Sequence, residues 1–176
     1  MGLRIDKLNS IKWGRIIFKN DWESILNFIY ETLFYTILPA ILIYVLLFKN
    51  SRISIIGITI ISFILIIYLA SWYLLSKFQT AKMYDKALDR EFIVEILQLR
   101  FPELEIRDNG IEMIVAKKTS GFPSTGKWLT VIFNNQTIYI NLVSLGKYES
   151  RSIFGSIRNY FIIKDILNNY KLSRNG

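Results

Sequence analysis

The chain contains no cysteine and no histidine. The first absence removes disulfides, thiol nucleophiles and cysteine-ligated metals. The second removes the Ser-His-Asp triad, the commonest general base and imidazole ligation of metals. Catalysis would have to rest on Asp, Glu, Lys, Ser, Thr or Tyr, and no pair of these stands out. The reading is therefore of a protein that is not an enzyme, with no catalytic residue, metal or cofactor assigned. Proline is scarce, three in 176 residues, and one of the three, Pro39, interrupts an apolar run.

A third absence organises the rest. Ile53–Ser76 carries no charged side chain over twenty-four residues, and fourteen of them are Ile, Leu or Phe. Each such residue favours a bilayer centre by about 0.3 to 0.6 kcal/mol. A helix of this length rises about 36 Å, against a hydrocarbon core of about 30 Å. The stretch is expected to be a transmembrane span. Residues 31–48 give a shorter span, with Pro39 at its middle as a kink. Lys49-Asn50-Ser51-Arg52 joins the two, so residues 21–76 read as an antiparallel transmembrane hairpin.

Charge then orients the hairpin. Residues 1–20 hold five basic residues against Asp6 alone, and Lys77, Lys82, Lys86 and Arg90 come after the second span. By the positive-inside rule both termini are expected in the cytoplasm, with the chain in a bacterial inner membrane. Residues 1–20 form a basic juxtamembrane segment on the lipid headgroups. Trp13, Trp22, Tyr30, Trp72 and Tyr73 are the expected interfacial aromatics. Asn27 and Glu31 make a candidate polar site at the membrane edge.

Residues 77–176 read as a small cytosolic α+β domain with the order helix, three-stranded antiparallel sheet, helix. An apolar stripe of Tyr84, Leu88, Phe92, Ile96 and Leu99 predicts the first helix, which ends before Pro102. The runs Trp128–Phe133 and Thr137–Leu142 flank Asn134-Asn135 and predict a hairpin with a type I′ turn. A short strand at Leu104–Arg107 is also expected. Ser152 is read as the cap of a last helix running to about Tyr170, with Ile153, Ile157, Phe161 and Leu167 inward.

Gly121-Phe122-Pro123-Ser124-Thr125-Gly126-Lys127 fits seven positions of a phosphate-binding P-loop. The eighth is Trp128 instead of Ser or Thr, and the loop opens a strand rather than a helix. The loop still groups Lys117, Lys118 and Lys127, a candidate contact for an anion or a lipid headgroup. Residues 113–176 carry nine basic residues and two acids, whereas residues 85–112 carry eight acids and four basic residues. Nucleic acid is a disfavoured partner, because no basic cluster opens the final helix.

The expected function is thus a membrane-anchored, non-enzymatic binding or adaptor protein that presents its α+β domain to the cytoplasm. Its expected partners are membrane lipids, further copies of itself, and an unidentified protein or small anionic ligand. The alternative is a membrane-perturbing effector of a bacterial defence or toxin system. In that reading the cytosolic domain senses a ligand and the spans form a leak.

Overall fold

A computed structural model of the chain describes residues 5–19, single positions between Trp22 and Tyr44, and residues 55–118, 126–146, 151–153 and 155–175. Within the helix that begins at Ile55, side chains are described at Thr59 and from Ile61 onward. Helix α1 spans Lys7–Trp13, α2 Ile55–Ser76, α3 Lys86–Arg100 and α4 Ser156–Asn175. The strands are β1 Gln79–Lys82, β2 Glu105–Asn109, β3 Met113–Lys118, β4 Gly126–Asn134, β5 Thr137–Leu145 and β6 Arg151–Ser152.

The strands form one antiparallel sheet in the order β1–β5–β4–β3–β2, with β6 also paired to β5. Its centre is the β4–β5 hairpin, paired from Gly126↔Leu145 to Asn134↔Thr137. Asn135 and Gln136 turn the chain with φ of 43° and 58°, the two left-handed residues that a type I′ turn requires. The hairpin forms as expected, with its turn one residue later. β-branched and other apolar side chains make up most of both strands, so alternate residues feed two cores on opposite faces.

On one face Leu129, Val131, Phe133, Ile138, Ile140 and Leu142 pack beneath α3 and α4, which contribute Ile93, Leu97, Ile163, Ile166, Leu167 and Tyr170. On the other, Trp128, Ile132, Val143 and Leu145 meet Ile5 and Ile16 of the N-terminal segment and Leu75 of α2. Each fully buried Ile or Leu is worth about 1.5 to 3 kcal/mol. Both faces of the sheet are therefore covered.

Several expectations do not hold. Among the described residues no helix is long and apolar enough to cross a membrane. The transmembrane hairpin, its two spans at 31–48 and 53–76, and the multi-pass inner-membrane location with cytoplasmic termini are not supported. The physical reason lies in α2. Its last turns place Leu75 and Ser71 in buried positions and set Tyr68 and Trp72 against the second core. The apolar residues counted toward a span are partly taken up by the protein's own sheet. The part of the helix before Tyr68, from Ile55, rises only about 20 Å. Of 31–48 only single positions are described, all helical.

In the N-terminal segment, Ile5 and Ile16 are buried against the sheet, with Ile11 and Phe18 packed beside them. Ile5 bridges Phe18, Arg15 bridges Lys77, and Asp6 caps α1 by accepting from the Asn9 backbone N–H at 3.1 Å. Lys7 and Glu112 pair between this segment and the sheet. The sheet has six strands instead of three. Residues 79–82 form strand β1 at the sheet's edge, and the final helix begins at Ser156, not Ser152.

Candidate functional site

The lysines of the β3–β4 connection do not form one group. Lys118 and Lys127 stand opposite each other across the strand pair, while Lys117 is paired with Trp128. Successive strand residues point to opposite faces, so Lys117 leaves the other two. Its ammonium lies 5.5 Å from the Trp128 ring centre, and Glu105 is its cross-strand neighbour on β2. Lys127 donates to Glu103 Oε1 at 2.8 Å and sits 5.1 Å from the Phe101 ring. That hydrogen bond, with the charges of Lys127 and Lys118, holds the Glu103 carboxyl below its ordinary range. An anion approaching Lys118 and Lys127 meets a pair already partly neutralised. Residues 119–125 lie outside the described residues.

The expected interfacial aromatics also separate. Trp13 and Trp22 are exposed, Tyr73 is exposed with Lys77 4.8 Å from its ring, and Trp72 is turned inward beside Tyr68. Tyr30, Asn27 and Glu31 lie outside the described residues.

The feature that stands out is α2 itself. Its foot is clamped to the domain. Ile16 N–H donates to Ser76 O at 2.8 Å and Phe78 N–H donates to Gly14 O at 3.0 Å. Gly14 adopts φ +62°, which closes α1 and turns the chain toward this contact. From the sheet, the buried Asn141 amide donates to Lys77 O at 2.7 Å and Leu75 O at 3.4 Å. These carbonyls are among those that a helix end leaves without intrahelical partners. Asn141 Oδ1 and the Oγ1 of Thr130, its cross-strand neighbour, are both buried without a hydrogen-bond partner.

Above that foot, α2 turns an apolar face outward. Phe63 is 63% exposed and Ile66 64%, and Ile64, Leu69 and Tyr73 are also about half exposed or more. Phe63, Ile66 and Tyr73 recur at three and seven residues, the spacing of one helix face. No charged residue occurs in the helix. A helix that is apolar all round is ordinarily covered, and an apolar patch of more than a few hundred Å² marks an interaction surface. Compared with protein-family models, curated proteins and solved structures, the chain has no match. The functional reading therefore rests on this geometry.

A second polar centre was not visible in the sequence. Asp89, with no exposed surface, ion-pairs with Arg174 Nη2 at 2.7 Å across α3 and α4. Its Oδ2 accepts from the backbone N–H groups of Tyr84 at 2.7 Å and Asp85 at 3.0 Å. Tyr170 donates to Lys82 O at 3.1 Å. Burial pushes the Tyr170 hydroxyl well above its usual range, and the Asp89 carboxylate beside it adds to the shift. The Nε of Arg174 is buried without a hydrogen-bond partner, and among the described residues no acidic cluster suited to a metal occurs.

Proposed function

We propose that the chain is a non-enzymatic binding module whose α+β domain presents α2 to an apolar partner. The observation that carries this reading is the pairing of two properties in one helix. Its foot is fixed by backbone and side-chain hydrogen bonds, while its outward face is large, apolar and uncharged. Fixing the foot limits the helix's freedom before it binds, so less entropy is lost on association. Adaptor function fits such an arrangement: a rigid domain holds one recognition helix in a set direction.

The absence of cysteine supplies a direct test. Ile66→Cys introduces the chain's single thiol on the outward face, and Leu172→Cys places one on α4 at a position 72% exposed. In intact cells a permeant maleimide is expected to label Leu172→Cys at least tenfold faster than Ile66→Cys, because the partner shields position 66. After denaturation the two rates should converge. Equal rates in cells would mean that nothing covers α2, and the binding reading would fail.

A further inference from the structure

We infer that a cleft at the foot of α2 binds one monovalent cation, of the size of potassium or ammonium, through neutral oxygen ligands. The inference is independent of what covers the outward face of α2.

The sheet itself makes the cleft. β1 pairs with β5 as far as Gln79↔Ile140, and β6 takes up the same edge at Ser144↔Ser152. At Asn141 and Leu142 that edge of β5 meets no strand among the described residues, and side chains from the ends of α2 and α4 flank the gap. Leu74, Lys77, Gln79, Asn141, Asn159 and Tyr160 line it, with room for about one water-sized occupant.

The lining sets the sign of the ligand. Three carboxamides meet there, each with its nitrogen end anchored on the protein. Asn141 donates to Lys77 O at 2.7 Å, Gln79 donates to Tyr160 O, and Asn159 donates to Ser144 Oγ at 3.0 Å. A carbonyl accepts only from the nitrogen, so the orientations of Asn141 and Gln79 are decided, and their oxygens are the acceptors left for a ligand. Asn141 is 3% exposed, and its oxygen is buried without a hydrogen-bond partner. The cleft also lies at the C-terminal end of α2, the negative end of the helix dipole, and the last turn of that helix carries no basic residue. Lys77 is the one charged residue in the described lining, and its ammonium is held 4.8 Å from the Tyr73 ring centre.

These features select among cations. Calcium and magnesium draw on carboxylates, and the described lining contains none. Potassium and ammonium are close to water in size, and neutral carbonyl oxygens can replace the hydration shell of potassium. A water molecule can donate to two acceptors at most, whereas a cation draws on every oxygen that faces it.

The test compares salts on the full chain. Urea unfolding is followed in potassium, ammonium or choline chloride at one ionic strength, so that screening is equal; choline is too large for the cleft. At a salt concentration about ten times the dissociation constant, potassium and ammonium should each lower the unfolding constant about tenfold relative to choline, an upward midpoint shift of about 0.7 M. Gln79→Leu removes one oxygen ligand and should erase most of that difference between salts, whatever it does to stability in choline. Equal midpoints in all three salts would mean that the cleft takes up water alone. A difference that survives Gln79→Leu undiminished would put the cation elsewhere. Either result overturns the proposal.

Discussion

Removing Arg174 puts the sharpest strain on this fold. Arg174→Met keeps most of the side chain's apolar length but leaves the Asp89 carboxylate without its cation at zero exposure. Breaking a buried pair by deleting one partner costs about 3 to 5 kcal/mol. Asp89 keeps two backbone N–H donors, so a value near 3 kcal/mol is expected. Asp89→Asn has a smaller effect, about 1 to 2 kcal/mol, because the Arg174 side chain is 28% exposed and can turn toward water. In the double variant no buried charge is stranded, so its loss should fall about 2 kcal/mol short of the sum of the two. Urea unfolding followed by tryptophan fluorescence measures this. With a slope of about 2 kcal/mol per molar urea, Arg174→Met should move the midpoint down by about 1.5 M. A shift under about 0.3 M, or strict additivity in the double variant, would refute the claim that this pair joins the end of α4 to the start of α3.

Neighbouring polar groups give two further predictions. Tyr170 keeps its proton in the folded state above the pH where the unfolded chain releases it, so its contribution is full below pH about 10 and declines above it. Tyr170→Phe should flatten the alkaline loss of stability by about 1.4 kcal/mol per pH unit, and an unchanged slope between pH 10 and 11 in calorimetry would count against that assignment. At the foot of α2, Asn141→Ala strips Leu75 O and Lys77 O of their donor and should cost about 1 to 3 kcal/mol. Asn141→Asp should cost more, because it puts an acceptor and a negative charge at a helix C-terminus. Faster amide exchange at Phe78 in both variants, read by mass spectrometry, would show that the clamp has loosened; a midpoint and exchange rate identical to the parent would rule the clamp out.

How much was legible in the chain depends on which force decided each element. The β4–β5 hairpin was, because β-branched runs and two asparagines fix it locally. Its turn shifted to Asn135-Gln136 because either asparagine tolerates positive φ and the strand register chose between them. The stripe expected for α3 is half right: Phe92 and Ile96 pack against the core, but its buried row is Asp89, Ile93 and Leu97, and Tyr84, Leu88 and Leu99 are exposed. An acid in the buried row disguised the period, and its partner, Arg174, stands 85 residues away, beyond any local pattern. Strand β1, Gln79–Lys82, has no apolar alternation and exists because β5 offers it an edge. The lysine trio is divided for a reason the sequence did contain. Once Lys117 and Lys118 lie in one strand, adjacency itself sends them to opposite faces.

The same principle explains why the uncharged stretch misled. Hydropathy totals a run of residues without asking which side of the helix each occupies. In α2 the two sides have different fates. Tyr68, Ser71, Trp72 and Leu75 are committed to the sheet, whereas Phe63, Ile66, Leu69 and Tyr73 face away from it. The chain gains stability from the first set when it folds and is left with the second set as uncovered hydrophobic surface. Polar substitution on the inner side should therefore unfold the domain, since it opens the second core. The same change on the outer side should leave the fold intact, because those side chains are more than half exposed. The proposed binding role would use both sides of this one apolar helix: one would set its direction, and the other would meet the partner.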